Sequence, residues 1–280
     1  MNYILVGLYG RPSMRAVKAQ MEIPVTIKYL KRESCRFDEN DVVIRWGTTS
    51  NNVRFNGAKR FNSGIAIRLA QNKRDSRKKL QDCGVPCPKT YFDIGDIPLG
   101  TKVIARPLRH RRGENFHILT IGTRITEGMF GTDYYYSEVF DKTNEYRVHV
   151  GHGKVIAITE KPISTTDLRA NQHITNLSWR YLKWHEYKKS ICRASCDAIK
   201  CIGLDCGAVD IMYNSHTGKC AVCEINTAPT INDSEYLTKR YAKYFGWVFN
   251  HPNKPHWDYT RYTIGKSFAW TNNQINQLGE

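Results

Sequence analysis

Three oxygen-bearing side chains in the C-terminal half of the sequence have a spacing that would let them share one metal ion. Asp210 lies in the apolar segment 207–213, and Glu224 and Asn226 lie in a second apolar segment, 220–229. The turn-forming residues between the two segments predict a β-hairpin. Residues two apart on a strand face the same side, so Glu224 and Asn226 point together and the hairpin brings Asp210 beside them.

Carboxylates that converge inside a largely apolar sheet need a compensating charge. Mg²⁺ suits this set because it takes one or two carboxylates and completes its shell with phosphate and water. The pattern therefore predicts a magnesium site on these three residues, with Mn²⁺ as an alternative ion. The competing interpretation is that all three are polar residues of an edge strand and face solvent.

The composition indicates a soluble globular protein. Of the 280 residues, 41% are hydrophobic and 24% are charged, and no run approaches the ~18 apolar residues of a membrane span. The N-terminal segment has no basic stretch of the signal-peptide kind, so we expect a cytoplasmic protein without a membrane partner. With 42 basic against 26 acidic residues, the net charge of +16 favours a polyanionic partner: a nucleotide, a nucleic acid or an acidic peptide.

The nine cysteines are scattered along the chain. An odd number of cysteines in a chain of cytosolic character predicts free thiols.

Apolar segments alternate with helical ones at the N-terminus. Strands are predicted over 3–8, 25–30 and 41–47, with a helix over 14–20. This alternation is typical of an α/β domain, in which ligands lie beyond the carboxyl ends of the strands. Arg45 lies near such an end, and we consider a ligand-facing and a surface position equally for it.

Two helices with recognisable caps follow. The pair Asn62-Ser63 is placed to cap a helix over 65–70, and Asn72 to cap a second helix, with Asp75 as its partner and Gly84 as its stop. The second helix is basic. We expect Lys73 at its start to reach a cleft, and the rest of the basic run to form a solvated face.

Further basic residues follow strands in the middle of the chain. Arg106 ends a predicted strand and leads into the basic loop Arg109–Gly113. Arginine's planar fork suits phosphate oxygens, in ATP or in RNA. In the strand that begins at Glu145, Arg147 faces the same side as Glu145, and Lys161 ends the strand that returns. An apolar stripe over 186–202 then predicts a core helix.

In this order, these segments resemble the ATP-grasp ligases, in particular the carboxylate–amine ligase branch that includes ribosomal-protein glutamate ligases and phage-encoded relatives. The similarity covers roughly Asn62 to Tyr244. It is carried by Asn72-Lys73 with Gly84-Val85-Pro86-Cys87-Pro88-Lys89-Thr90, by the Glu138-Val139-Phe140 link, by Glu145-Tyr146-Arg147, by Asp210, and by Glu224-Ile225-Asn226-Thr227-Ala228-Pro229. Two positions depart from the family pattern, since Arg106-Pro107 replaces Lys-Pro and Thr230 replaces a glycine.

The resemblance implies an α/β (α+β) ATP-grasp architecture in which ATP binds between two lobes. Its parts would be an N-terminal α/β domain over 1–70, a central lobe over 71–141, a C-terminal lobe with the metal site over 142–255, and a tail over 256–280. The ATP-binding residues it implies are Lys73, Arg106, Arg109, Glu138, Val139, Phe140 and Glu145. Arg147 and Lys161 would be catalytic, and Asp210, Glu224 and Asn226 would hold Mg²⁺.

The activity implied is an ATP-dependent ligation. A small-molecule or peptide carboxylate would receive the γ-phosphoryl group, and an amine would then displace phosphate to give an amide or peptide bond. The basic loop would close over the phosphates and keep water from the acyl phosphate. An acidic or nucleic-acid-associated substrate, a phage origin and a homo-oligomeric state are compatible with the sequence.

Two alternatives stay open at this point. One is a kinase-like ATP-grasp protein that stops after phosphoryl transfer. The other is a nucleic-acid-binding protein that uses the basic runs and the 16 tyrosines for backbone contacts and stacking.

Overall fold

The computed structural model describes residues 1–8, 12–30, 34–49, 53–108, 116–122, 133–162 and 179–254. Within these ranges the chain is a mixed α/β protein, as predicted. Arg109, the rest of the loop Arg109–Gly113 and the predicted tail 256–280 lie outside the described residues. Of the helices in the described ranges, none combines the length and the apolar character needed to cross a membrane. The domain boundaries given above stay predictions.

The N-terminal part forms parallel sheets. Its elements are β1 (Asn2–Gly7), α1 (Pro12–Ala19), β2 (Val25–Tyr29), β3 (Cys35–Asp38), β4 (Asp41–Trp46), β5 (Val53–Asn56) and β6 (Lys59–Phe61). One parallel sheet has the order β2-β1-β4-β6, and β3 pairs with β5 in a second one. The predicted strands and helix agree with β1, β2, β4 and α1 to within two residues at each end, whereas the short strands β3, β5 and β6 were not predicted.

Two helices lead from this part into the rest of the chain. They are α2 (Gly64–Gln71) and α3 (Lys73–Asp82). The Ser63 side chain accepts a hydrogen bond from the amide of Ala66 at 3.1 Å, and the Asn72 side chain accepts one from the amide of Asp75 at 3.3 Å. Gly84 has a φ of +69°, the left-handed conformation that ends a helix. The predicted caps and stop are confirmed.

Two antiparallel sheets follow. The first contains β7 (Thr90–Tyr91), β8 (Lys102–Pro107), β9 (His117–Thr120) and β10 (Tyr134–Glu138) in the order β7-β10-β8-β9, with a 3-10 turn at Ile94–Asp96. The second contains β11 (Asn144–Gly151), β12 (Lys154–Lys161), β13 (Arg180–Tyr181), β14 (Cys206–Tyr213) and β15 (Cys220–Asn226) in the order β13-β12-β11-β14-β15, with a 3-10 turn at Trp184–Glu186. We call them the small sheet and the large sheet.

The large sheet has one apolar face and one polar face. Helix α4 (Lys189–Ile202) places its apolar stripe on the first, where Val148, Ile158 and Val209 are fully buried. On the opposite face the C-terminal helix α5 (Glu235–Asn250) covers the part around Ile156 and Ala157. The remaining polar part of that face is open to the cleft described below.

Arg77 corrects one expectation for the basic helix α3. It is buried, and its guanidinium donates to the carbonyl of Val222 at 2.7 Å and to that of Cys223. The amide of Val222 donates in turn to the carbonyl of Pro86 at 2.7 Å. These contacts cover an edge that β15 would otherwise leave unpaired, so at this position the predicted solvated face is wrong.

A disulfide joins the end of α3 to the end of α4. Cys83 and Cys201 are bonded across 118 residues of sequence, and the other seven cysteines are free. The prediction of free thiols is therefore wrong for this pair. The two helices pack side by side, and a pairing over that distance leaves no mark in the sequence.

Asn62 joins the N-terminal part to the large sheet. It is fully buried with a left-handed φ of 60°. Its side-chain oxygen accepts hydrogen bonds from the amides of Asp205 (2.9 Å) and Cys206 (3.0 Å), and its side-chain nitrogen donates to the carbonyl of Arg45 at 3.3 Å. One amide side chain thus satisfies backbone groups of both parts.

We expect Asn62→Ala to lower the free energy of unfolding by about 3 kcal/mol, because three hydrogen bonds are lost and alanine tolerates the left-handed conformation poorly. Urea denaturation followed by circular dichroism measures the change. The exposed Asn253 provides the matched control, Asn253→Ala. Equal effects of the two substitutions would contradict a joining role for Asn62.

Candidate active site

A cleft of about 1090 Å³ lies between the small sheet and the large sheet. Every predicted site residue that falls within the described ranges lines it: Lys73, Arg106, Glu138, Val139, Phe140, Glu145, Arg147, Lys161, Asp210, Glu224 and Asn226. Arg45 does not. It is buried, and its Nε donates to the carbonyl of Thr48 at 3.1 Å, so the surface position considered for it is wrong.

Strand register brings the charged side chains of the large sheet together. Arg147 on β11 is the direct partner of Asp210 on β14, and Asp210 is the direct partner of Glu224 on β15. Glu145 is likewise paired with Lys161 on β12. Directly paired residues share a face in an antiparallel sheet. All five side chains therefore lie on one face.

Asp210 is the centre of a buried ion network. Arg147 binds it with both arms of a fork, Nε to Oδ1 at 2.7 Å and Nη2 to Oδ2 at 2.9 Å. Lys161 Nζ lies 2.7 Å from Oδ2 of Asp210 and 2.8 Å from Oε1 of Glu145. Lys142 completes the network at 2.7 Å from Oε2 of Glu145. Paired forks of this kind are among the strongest hydrogen bonds in proteins.

Asp210, Lys161 and Arg147 keep their charges although most of the solvent is excluded from them. Burial alone would raise the pKa of Asp210, but Arg147 and Lys161 outweigh it and hold that pKa well below its usual range. Burial would likewise lower the pKa of Lys161, and Asp210 and Glu145 raise it instead. The pKa of Arg147 is raised because the charge of Asp210 outweighs desolvation. At neutral pH each of these three groups carries its charge.

Glu224 and Asn226 are held more loosely than Asp210. Lys73 Nζ lies 3.3 Å from Oε2 of Glu224, whose side chain is 37% exposed. The Asn226 side-chain nitrogen donates to Oε1 of Glu224 at 3.4 Å. Both contacts are longer than the 2.7–2.9 Å typical of charge-assisted hydrogen bonds. An incoming ligand can therefore take their place at low cost.

The donor set fits Mg²⁺. Asp210 accepts three N–H groups out of roughly four lone-pair positions, which leaves one position on this carboxylate. Glu224 and the amide oxygen of Asn226 add further oxygen ligands, which is the chemistry that Mg²⁺ prefers. In the described ranges, no three His, Cys, Asp or Glu side chains are grouped as metal ligands. The predicted set differs in combining two carboxylates with an amide.

On the other side of the cleft, the small sheet presents the segment Glu138–Phe140. The Tyr91 hydroxyl donates to Oε1 of Glu138 at 2.7 Å and fixes that carboxylate. The amide of Val139 donates to the carbonyl of Lys102 at 3.1 Å. This bond commits the Val139 amide to the protein and leaves its carbonyl as the available group.

Sequence reasoning missed three residues of the site. Lys142 was not assigned to Glu145, although it lies three residues away. Trp179 was not noticed, and its ring lies under both the guanidinium of Arg147 (4.8 Å) and the ammonium of Lys161 (5.6 Å). His149, two residues after Arg147 on the same strand, was given no role. The period of two along β11 was the one signal that pointed to it.

We expect Asp210→Asn to lower the free energy of unfolding by about 3–5 kcal/mol, because Arg147 loses its bound carboxylate and the buried Lys161 keeps only Glu145 as a charge partner. Glu224→Gln, at the partly exposed carboxylate, should lower the free energy of unfolding by less than about 1 kcal/mol. Chemical denaturation of the two variants measures both values. Similar costs for both would show that the network does not support the fold.

The buried histidine predicts a pH dependence of stability. Burial, with a smaller contribution from Arg147, lowers the pKa of His149 to about 3, against an ordinary value near 6.5. Between these values the unfolded chain binds a proton that the folded protein does not, so stability is complete above pH ~6.5 and falls as the pH drops towards 3. The wild type should lose about 2 kcal/mol from His149 between pH 6.5 and 5.

His149→Gln should remove this contribution, so that the free energy of unfolding falls less steeply as the pH drops below ~6.5. Urea denaturation at a series of pH values measures this dependence. His216→Gln at an exposed position is the control and should keep the wild-type slope. A slope that is unchanged in His149→Gln would contradict a neutral buried histidine.

The fold has clear relatives among solved structures. The ATP-grasp ligase PsnB in complex with a minimal precursor, Mg and ADP matches with a TM-score of 0.62 at 12% identity, over 90% of this chain and 98% of that chain. A RiPP-associated ATP-grasp ligase from Chryseobacterium gregarium, in complex with ADP and a leader and core peptide, matches with a TM-score of 0.59 at 16% identity, over 87% and 96%. D-alanine–D-alanine ligase from Bacillus anthracis, complexed with ATP, gives 0.53 at 14%, over 86% and 95%.

No protein-family model matches the sequence, and no curated protein matches it either. The similarity to solved structures nevertheless extends over most of this chain and nearly all of each relative. The chain therefore has the ATP-grasp fold, as its sequence motifs predicted.

Proposed function

We propose that the protein is an ATP- and Mg²⁺-dependent ligase that joins a carboxylate to an amine through an acyl phosphate. The observation that carries this proposal is the composition of the cleft. Cations suited to phosphate, a carboxylate and amide set suited to Mg²⁺ and the half-buried Arg147 line one space between two sheets. The fold relatives that were solved with ATP, or with ADP and Mg, support the same cofactors.

The small sheet would bind adenine. Adenine offers an exocyclic amine as a donor, and the Val139 carbonyl is the acceptor that the contact with Lys102 leaves available. Glu138, fixed by Tyr91, is a second acceptor at the same link. Phe140 follows in the cleft and adds apolar surface for the base.

The triphosphate would extend towards Lys73 and Arg106. The ion pairs near Asp210 and Glu224 join four cations to three carboxylates. Over the whole lining of the cleft, six cations face five carboxylates, so Arg106 gives the cleft a small excess of positive charge. This balance favours a polyanion. Arginine at position 106, in place of the family's lysine, can contact two phosphate oxygens at once.

Mg²⁺ held by Asp210, Glu224 and Asn226 would supply charge compensation between the phosphates and would orient them. In the first step a carboxylate oxygen of the substrate bonds to the γ-phosphorus, and the bond to the β,γ-bridging oxygen breaks, which releases ADP. In the second step the amine nitrogen bonds to the carbonyl carbon, phosphate leaves and the nitrogen loses a proton. Neither step needs a nucleophile from the protein.

Arg147 and Lys161 would have different roles. The fork to Asp210 uses two of the five N–H groups of Arg147, so its remaining edge is available to stabilise charge that develops on the substrate. Lys161 already donates to Asp210 and Glu145. It would act chiefly by positioning those carboxylates.

A peptide carboxylate is the substrate class that the fold relatives favour, because several were solved with precursor peptides. The basic character of the chain suits an acidic peptide. Mn²⁺ as the metal, a nucleic-acid-associated substrate, the cytoplasmic location, the phage origin and the homo-oligomer stay predictions from the sequence.

The test is mass spectrometry of reactions that contain Mg·ATP and a pool of amino acids and short peptides. The wild type should release ADP and form products whose mass equals carboxylate plus amine minus water. Glu224→Gln, which should keep the fold, is expected to reduce product formation by roughly 100-fold or more, the loss of about 3 kcal/mol of transition-state stabilisation. Glu235→Gln, at an exposed residue outside the cleft, is the matched control.

Two outcomes would contradict the proposal. Release of ADP that depends on a carboxylate alone, without any condensation product, would identify a phosphotransferase. Wild-type turnover by Glu224→Gln would show that Glu224 does not bind the metal.

A further inference from the structure

Three buried polar atoms on the large sheet or next to it have no hydrogen-bond partner in the described ranges: Nε2 of His149, Oγ1 of Thr159 and Nε1 of Trp179. An unpaired buried polar group costs roughly 1–3 kcal/mol, so native proteins contain few of them. It is therefore informative that all three lie around one side chain, Arg147.

The sheet register defines this cluster. Thr159 is the direct partner of Arg147 on one side and of Tyr181 on the other, so it shares their face. His149 follows Arg147 by two residues on the same strand and lines the cleft. The indole of Trp179 lies 4.8 Å from the Arg147 guanidinium. His149 and Thr159 are both fully buried.

We propose that His149, Thr159 and Trp179, with the edge of Arg147 that Asp210 leaves available, form a subsite for the carboxylate of the substrate. The proposal rests on the proposed function, since it names the place where the carboxylate that is to be activated would be held. The indole and the guanidinium can only donate hydrogen bonds, and the threonine hydroxyl can donate as well. Such a group of donors matches the oxygens of a carboxylate.

Electrostatics favours a carboxylate over an amine at this position. Two cations lie next to the Trp179 ring: the Arg147 guanidinium and the Lys161 ammonium, which is 5.6 Å from the ring centroid. An ammonium group would meet two cations and two side chains that cannot accept its protons. A carboxylate would satisfy the same donors, and Arg147 keeps N–H groups that its fork to Asp210 does not use.

His149 would bind and orient the substrate without acting as a base. Its Nδ1 lies 3.0 Å from the Tyr241 hydroxyl, and when that hydroxyl donates, Nε2 carries the hydrogen and becomes a further donor towards the cleft. Burial keeps the pKa of this imidazole far below neutrality. A base with so low a pKa accepts a proton poorly at neutral pH, so deprotonation of the amine is assigned to another group or to water.

The subsite can be tested on the whole protein without ATP or Mg²⁺, so the outcome does not depend on ligase activity. The Nε2 resonance of His149, assigned by its loss in His149→Gln, is followed in protein labelled with ¹⁵N-histidine. The probes are sodium acetate, sodium phosphate and methylammonium chloride at matched ionic strength. Acetate should shift the resonance and saturate, whereas methylammonium should leave it in place.

Thr159→Val preserves the shape of the side chain and removes only the hydroxyl. It should raise the dissociation constant for acetate roughly tenfold, the value expected for a hydrogen bond to a charged group. Trp179→Phe keeps a ring next to Arg147 and should weaken acetate binding to a similar degree. Thr238→Val is the matched control, because that buried hydroxyl is already bonded to the carbonyl of Ser234 at 3.0 Å.

Three results would overturn the proposal. They are a His149 resonance that responds to methylammonium instead of acetate, one that responds to phosphate alone, and one that responds to no probe. Acetate binding that is as strong in Thr159→Val and Trp179→Phe as in Thr238→Val would also overturn it, by showing that acetate binds elsewhere.

Discussion

The ion network around Asp210 constrains the large sheet more than any other interaction. Three cations and two carboxylates, Lys142, Lys161, Arg147, Glu145 and Asp210, are removed from most of the solvent. Their desolvation is offset only when every charge has its partner at hydrogen-bond distance. The partners come from three neighbouring strands, so β11 must match β12 and β14 at the same time. A slip of one residue would turn the charges into the apolar core against α4.

The same strand shows how one sheet serves both a core and a site. Along β11 the side chains of Tyr146, Val148 and Val150 face α4, while Glu145, Arg147 and His149 face the cleft. At the end of the cleft the strand residues form hydrogen bonds with α5. His149 Nδ1 lies 3.0 Å from the Tyr241 hydroxyl, and His152 Nδ1 lies 2.7 Å from the Tyr244 hydroxyl. The helix therefore supports the end of the site through hydrogen bonds as well as through buried rings.

Local signals in the sequence were sufficient for much of this arrangement. Ser63 and Asn72 cap their helices by bonding to amides three residues further on, and side chains alternate between faces every two residues along the hairpin of β14 and β15. Both features could therefore be predicted from neighbouring residue types. The motifs then ordered these pieces into the ATP-grasp fold. Of the site residues predicted in this way, all that fall within the described ranges line one cleft.

Features that depend on distant partners could not be predicted in the same way. Asn62 meets Asp205 across 143 residues, Arg77 meets Val222 across 145, and Cys83 meets Cys201 across 118. In each case the residue type fits a surface position as well as a buried one. The partner alone decides between them. The composition of α3 predicted a solvated face, and only the uncovered edge of β15 explains why one of its arginines is buried.

Asp210 and Glu224 have different roles, since Asp210 keeps the strands in register and Glu224 can exchange its contacts with a ligand. Asp210 has short contacts to the half-buried Arg147 and the buried Lys161, whereas Glu224 has longer contacts to Lys73 and Asn226 and is partly exposed. A ligand that arrives with its own negative charge can draw Lys73 away from Glu224 without disturbing Asp210. Ligand binding would then replace the contacts of Glu224, while the contacts of Asp210 keep β11 and β14 in register. On this view, the tightness of the Arg147–Asp210 fork is what allows the rest of the site to rearrange around a ligand.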